Sequence, residues 1–310
     1  MHQLSDLPVP EVVSFDCTTH NVLESQYMIL RRLRGSPPIS LYPEMNHKLR
    51  CETARQLGEA IACLTSLRSA HIGRLTTTSH EFGDQVDYLV RVLDGTGSTA
   101  AWHHDGAPAN EGALEALLQI FNHRDSAAMA KIPVDDFDAE YMQRFAAMTR
   151  EMADMGYLKD VTISLCHLDC EPRNFLIDMQ NETTPLCGIL DWDSTISGPS
   201  FMSCTPPMRI WAWKDDEEED ERTANDTPET KEGCELKAIF EQAAGPIYMR
   251  FAYSPVYRLA RRLPKFACLG MGSNEDFKEA ESMLEEWREM CHEVNHEITH
   301  QQHDSDSEHD

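Results

Sequence analysis

The sequence predicts an α+β fold in which helices dominate, and three observations lead to it. Val161–Leu165, Phe175–Ile177 and Leu186–Leu190 are short apolar runs rich in Val, Ile, Leu and Phe, each ending at polar or charged residues. Runs of that length and composition suit strands better than helices. Between the second and third lies MQNETTP, a polar turn, so these two runs form a hairpin. Longer stretches with apolar residues at helical spacing precede and follow the hairpin. Strands, a linker, helices, a β hairpin and further helices, in that order, give an α+β architecture.

Taken in order, residues 1–35 read as β structure punctuated by proline. Val12, Val13 and Phe15 mark one strand and Tyr27–Leu30 another, after which Arg31–Gly35 turns away. A surface hairpin is the plain reading of that pair. Lys48–Ser69 is the first long helix, with Ala54, Leu57, Ile61 and Leu64 on one face and Gly73 as its stop. Asp87–Leu93 has strand composition, and the DGTGS after it reads as a turn. His103, His104 and Asp105 bear donors that metals take, but on a glycine-rich loop they read as solvated. Leu114–Phe121 and Ala139–Met155 are helices, the second carrying Tyr141, Phe145, Met148, Met152 and Met155 as one apolar stripe.

Beyond Pro199, Trp211 and Trp213 either pack on the hairpin or stack on a ligand. Lys214–Gly233 is a charge run almost without apolar content, which reads as a solvated, disordered insert; as an acidic lip it would draw a cationic substrate. Leu236, Ile239 and Phe240 open a further helical region that Pro246, Pro255 and Pro264 break into short helices. Arg258, Arg261 and Arg262 are spaced to pair with acidic residues, with phosphate contact as the alternative. Phe277–Val294 is amphipathic, and residues 299–310 lack the apolar content to order a tail.

At 310 residues the chain can bury a sizeable core. Its net charge of −26 argues against nucleic acid or an anionic membrane as partner; it reads as a charge that keeps the chain soluble, with a cationic small-molecule partner as the alternative. No apolar run reaches the roughly 18 residues of a membrane span, and the start MHQLSD has no signal-peptide pattern. Ten scattered cysteines without a C-x-x-C pair then read as reduced thiols in a cytoplasmic protein.

The residues that carry chemistry sit around the hairpin. His167, Asp169 and Asn174 fall in the loop entering it, and Asp191 lies where its second strand ends. A hairpin brings those two places together, so two carboxylates and an amide converge in one cleft. Phosphoryl transfer needs such a set: a carboxylate to orient a hydroxyl and accept its proton, and oxygen donors for Mg²⁺. The spacing H-x-D-x-x-x-x-N matches the catalytic loop of protein-kinase-like enzymes.

CHLDCEPRNFLID, GILDWDSTISGP and the SCTPP-R-W run resemble the aminoglycoside phosphotransferase family of kinase-like enzymes, as do LPVPEVVSFD and YMILRRLRGSPP upstream. The resemblance implies a protein-kinase-like fold with a truncated N-lobe, of which residues 1–35 keep the last strands and hinge. Residues 36–298 then form a mostly helical C-lobe that carries the catalytic hairpin, ahead of the tail. It implies an ATP- and Mg²⁺-dependent phosphotransferase acting on a small-molecule hydroxyl. Asp169 is then the catalytic base, His167 the brace of its loop, Asn174 and Asp191 the metal pair and Asp193 a residue of the substrate side. Leu30, Arg31, Arg32 and Leu33 form the linker that holds adenine. The pattern departs from the family at the start: no Gly-rich loop, strand Lys or helix Glu precedes that linker. Glu171 also stands where protein kinases place a Lys, with Arg173 the nearest cation.

Two rival readings follow from the same residues. One is a non-catalytic pseudokinase, a binding protein that kept the loop and lost the phosphate clamp. The other takes Asp191-Trp192-Asp193 as the D-x-D of a metal-dependent glycosyltransferase, which leaves His167, Asp169 and Asn174 without a role.

Overall fold

The computed structural model describes residues 7–16, 18–68, 73–76, 89–91, 112–121, 136–183, 185–192, 195–212, 220–269, 271 and 273–307. The chain divides into two units, Met1–Val90 with Thr162–Ser254, and Arg91–Val161 with Pro255–Asp310.

In the first unit, β1 (Val12–Asp16) pairs antiparallel with β2 (Tyr27–Leu30), and most of this hairpin faces solvent. The short helix α1 (Pro38–Leu41) and a turn lead to α2 (His47–Ser66). Asn46 caps α2 by accepting the Leu49 N–H at 2.9 Å, which satisfies one of the donors a helix start leaves without a partner. Leu49, Ala54, Leu57, Ile61 and Leu64 are buried along one stripe, as their spacing requires. That helix packs on α5 (Lys231–Ala252), whose own cap is Thr230 accepting the Gly233 N–H. Gly58 permits the approach: a Cβ there would lie 2.5 Å from the Phe240 carbonyl oxygen and 2.8 Å from the Ala243 Cβ. A kink at Gly245 (φ 77°), just before Pro246, bends α5.

A four-stranded sheet runs in the order β4 (Leu89–Arg91), β3 (Gly73–Thr76), β8 (Ile196–Pro199), β5 (Ile163–Cys166). β6 (Phe175–Ile177) and β7 (Leu186–Ile189) form the expected antiparallel hairpin. The linker Leu33–Ser36 lies against it. Ser36 and Ile177 exchange both backbone hydrogen bonds (3.1 and 2.9 Å), and Cys187 Sγ donates to the Arg34 carbonyl at 2.8 Å. Gly35, at φ 93°, makes that contact possible, since a Cβ would meet the Ile177 carbonyl oxygen at 2.7 Å.

The second unit contains a helix over residues 113–121 (α3), α4 (Asp136–Asp154), α6 (Pro255–Leu269) and α7 (Asn274–Ser307). Phe145 of α4 stacks on Phe266 of α6 (5.3 Å), while Tyr141 packs against Phe277 of α7 (5.5 Å). Trp287 Nε1 donates to the Glu151 carboxylate at 2.7 Å. Arg258, nearly buried, pairs with Glu286, and Arg262 pairs with Glu279. The arginine cluster thus meets acidic residues of α7. Among the described residues no helix is long and apolar enough to cross a membrane.

Several expectations are corrected. α2 ends at Ser66, and Gly73 opens β3 instead of stopping the helix, because the Leu67 carbonyl accepts the Leu165 N–H (2.9 Å) and Arg68 bridges Ser164. Ile196–Pro199, for which the sequence offered no reading, is a strand with β5 and β3 as its partners. The charge run is ordered over 220–233: Asp220 accepts the Arg222 N–H, a 3-10 turn spans Glu221–Thr223, and α5 begins at Lys231. Lys237 holds this segment by donating to the carbonyls of Ala224 (2.7 Å) and Asp226 (3.2 Å). α7 continues through residue 307, past the expected order boundary at 298; no Gly or Pro interrupts it after Gly272. Met155 falls beyond the end of α4 and is exposed. Trp211 is buried against Phe240 (5.5 Å), so it packs. His103, His104, Asp105, the DGTGS turn, Trp213 and residues 214–219 lie outside the described residues.

Replacing Gly58 with Ala should destabilise the protein by roughly 1–2 kcal/mol. The clash with backbone outweighs the ~1 kcal/mol of helix propensity that alanine adds, and a melting curve reads the difference. A second expectation concerns acid. Hydrogen bonds from Arg144 and Tyr141 hold the Glu281 carboxyl down at about 2, against 4.5 for a free side chain. A lowered folded-state pKa contributes stability above the unfolded value and loses it as pH falls through the folded one. Wild type should therefore lose its advantage over Glu281→Gln between pH about 4.5 and about 2, as seen in melting temperatures across that range. The pair is half exposed, so the gap will be small.

Candidate active site

The site is built on the β6–β7 hairpin and the loop before it. β5 ends at Cys166, and the chain then crosses to a 3-10 turn, Pro172–Asn174, that leads directly into β6. The Asn174 N–H donates to the Glu171 carbonyl (2.9 Å), which closes that turn. The Asn174 side chain is buried, and both of its amide protons go to Asp169: Nδ2 donates to the backbone carbonyl at 2.9 Å and to Oδ2 at 2.8 Å. Asp169 and Asn174 therefore stand together, and the amide oxygen is left as the donor atom of Asn174.

The other end of the hairpin is tied to the same loop. The Leu190 N–H donates to the Asn174 carbonyl at 2.7 Å, and the Leu190 carbonyl accepts from His167 Nε2 at 2.8 Å. A carbonyl can only accept, so Nε2 carries the proton. His167 is buried, and its Nδ1 has no partner among the described residues. Its ring meets Trp192 edge-on at 4.7 Å, and Trp192 Nε1 donates to the Ile189 carbonyl at 2.7 Å. Between Leu190 and Trp192 stands Asp191 at φ 60°, a left-handed backbone uncommon for a residue with a side chain. Strain of that kind persists only where the surroundings hold it, and here both neighbours are anchored. His167, Asp169, Asn174 and Asp191 thus occupy one place in the fold. Asp193 lies outside the described residues.

Arg173 adds a contact that spacing alone did not single out. Its guanidinium donates to both Asp169 oxygens, at 2.7 and 2.9 Å. That hydrogen bond, with the charges of Asp169, Glu171 and Asp191, raises the Arg173 pKa. The i to i+4 separation would indicate such a pair on a helix; here the 3-10 turn brings it about. Cys166 is fully buried, with its thiol pushed up to about 11 by burial, and burial likewise pushes Cys170 up to about 12. Neither has the character of a reactive thiolate.

The linker residues are less enclosed. Leu30 ends β2, while Arg31 and Arg32 are exposed; the Arg31 N–H donates to the Glu11 carbonyl at 2.8 Å. Leu33 covers Gly188 of β7, where a Cβ would come within 2.6 Å of Leu33 Cδ1. Sequence reasoning missed a neighbouring segment: Leu7 and Val9 are buried, and the Pro8 carbonyl accepts the Ile189 N–H at 2.8 Å. The apolar alternation Leu7, Val9 was the signal for it.

With the geometry in place, comparison with known sequences is decisive on one point. The sequence model of the phosphotransferase enzyme family matches residues 1–201. The chain belongs to that family. As a member of the phosphotransferase enzyme family it is of the kinase-like type, with an α+β fold. No curated protein matches the chain. Among solved structures, ADP-bound aminoglycoside phosphotransferase APH(2'')-Ib is 11% identical, covering 90% of this chain and 75% of that one at a TM-score of 0.44. A GDP and kanamycin complex of APH(2'')-IIIa is 13% identical, covering 92% and 77% at a TM-score of 0.38. The family assignment rests on the sequence model.

Replacing buried His167 with Ala should cost about 1–3 kcal/mol, because the half-buried Leu190 carbonyl loses its donor. A melting curve of the purified variant checks this, with unchanged stability as the contrary result.

Proposed function

We propose that this phosphotransferase moves the γ-phosphoryl group of ATP to a hydroxyl of a small molecule. The observation that carries the reading is the shared network in which Asn174 holds Asp169 while Leu190, bonded to Asn174 and His167, sets Asp191 beside them. Asp169 orients the hydroxyl and takes its proton as the oxygen–phosphorus bond forms. The β–γ phosphoanhydride bond breaks, and ADP leaves with the bonding electrons. His167 keeps the loop in place, and Asp193 faces the substrate side. Adenine lies at the linker Leu30–Leu33. There Arg31 has committed its N–H to Glu11, so Arg32 and Leu33 are the positions with backbone groups to offer.

The donor set suits Mg²⁺. Hydrogen bonding turns the Asn174 amide so that its oxygen is the coordinating atom, and the Asp191 carboxylate is a second hard oxygen donor. Bound by these two residues, the cation would neutralise charge on the nucleotide phosphates. The net charge of −26 favours a cationic acceptor molecule, and the strand pair β1–β2 with its linker is read as part of an N-lobe.

A second reading, a non-catalytic nucleotide-binding protein, draws support from Arg173, which occupies both Asp169 oxygens. The two part on turnover. ATP at about 100 times its dissociation constant should stabilise the chain by about 2.7 kcal/mol. That shift should require Mg²⁺ and disappear in Asp191→Ala. Asp169→Asn should keep the shift and lose phosphate transfer to a panel of amino alcohols and sugars. If Asp191→Ala binds MgATP as tightly as wild type, the metal assignment is wrong. Binding without any transfer by wild type would favour the second reading.

A further inference from the structure

A second cluster of donor atoms lies away from the hairpin, where the first turns of α2 face the start of α5. His47 and Cys51, one helical turn apart on α2, stand opposite Glu232 and Glu235 of α5. His47 Nε2 is 3.5 Å from Cys51 Sγ and 3.3 Å from Glu235 Oε2, and the ligand atoms of all three residues lie within 4.8 Å of one another. With Zn–N and Zn–O bonds of about 2.0–2.2 Å and a Zn–S bond of about 2.3 Å, neighbouring ligands in a tetrahedral site stand about 3.4–3.6 Å apart. The two edges have that length; Cys51 Sγ also lies 3.9 Å from His47 Nδ1, beside the ring, so the imidazole would turn its Nε2 toward the sulfur on binding an ion.

The other imidazole nitrogen completes the pattern. His47 Nδ1 faces Glu232 Oε1 at 3.4 Å, and Glu232 is itself held by Arg50 at 2.9 Å. A metal-bound histidine typically gives its second N–H to a carboxylate, which selects the tautomer that presents the first nitrogen to the ion. Burial, then the charges of Glu235 and Glu232, push the Cys51 thiol up, so without a cation it stays protonated. The charge balance of a metallated site is simple: a divalent ion, the Cys51 thiolate and the Glu235 carboxylate sum to zero, and Arg50 offsets Glu232. Cys51 also lines a groove of about 510 Å³ with Lys48, Glu52 and Ile239.

We propose that His47, Cys51 and Glu235 form a binding site for a soft divalent transition metal such as Zn²⁺, with Glu232 orienting the histidine, and that the ion clips α2 to α5. Sulfur and imidazole separate it from the all-oxygen donors of Asn174 and Asp191, so Mg²⁺ has no preference for it. The site does not depend on the proposed phosphoryl transfer. On binding, the Cys51 thiol gives up its proton to solvent and the sulfur supplies the electron pair of the new bond.

The test uses the full chain, stripped with a chelator and titrated with ZnCl₂ against a chromophoric competitor. Other histidines and cysteines also bind zinc, so the readout is the difference between variants. Wild type should hold one more tight equivalent than Cys51→Ser or His47→Ala, while Glu232→Gln should bind that equivalent about tenfold more weakly. Co²⁺ should give wild type a thiolate-to-cobalt charge-transfer band that Cys51→Ser lacks and Cys234→Ser retains. Zn²⁺ should raise the melting temperature of wild type more than that of Cys51→Ser. These side chains are at the surface or half buried, so far-UV circular dichroism should confirm that the variants fold. Equal zinc stoichiometry in wild type and Cys51→Ser, or a cobalt band that survives the loss of Cys51, would overturn the assignment.

Discussion

The peptide units on either side of Leu190 carry more of the site than any side chain does. The Leu190 N–H is bound by the Asn174 carbonyl, and its own carbonyl by His167 Nε2, so the end of β7 is tied to two points on the loop before β6. Loop and strand end are thereby one body. Asp191, next in the chain, takes a left-handed conformation that its own preferences disfavour. Such a geometry lasts because both backbone neighbours are spoken for, and it directs a carboxylate from a strand end where an extended residue would continue the ladder. The buried imidazole is thus worth more as a backbone anchor than as an acid or base.

The same economy holds in the surroundings of the hairpin. β6 and β7 form only a two-stranded sheet, which is marginal alone. Two irregular segments supply the missing support: Ser36 pairs with Ile177 on one edge, and the Pro8 carbonyl accepts from Ile189 on the other strand. Both lie close in sequence to the exposed β1–β2 hairpin, so the strands that face solvent are attached at both ends to the β6–β7 hairpin.

The two proposed cation sites separate by donor chemistry. Asn174 and Asp191 offer oxygen alone, the preference of a small, hard ion that keeps its waters. His47, Cys51 and Glu235 offer nitrogen, sulfur and oxygen, which suits a borderline-soft ion held by fewer ligands. They also differ in backing. The first rests on a strained strand end and a half-buried loop, the second on two helices whose packing Gly58 allows.

Local pattern was enough for the α+β class, the β6–β7 hairpin, the buried stripes of α2 and α4, and the nearness of His167, Asp169 and Asn174 to the start of that hairpin. Each of these follows from spacing within a few residues, where side-chain periodicity and hydrogen-bonding type are written directly in the chain. The family, too, was legible in CHLDCEPRNFLID and GILDWDSTISGP. What composition misread was settled by distant partners. Residues 220–233 are ordered because Lys237 and the start of α5 hold them. Arg173 meets Asp169 through a 3-10 turn, and His47 meets Glu235 only because α2 and α5 cross. Sequence by itself determined which residues could do chemistry. Tertiary structure alone decided which of them meet, because a hydrogen bond or a metal ligand set requires atoms within a few ångströms, and separation along the chain does not specify separation in space.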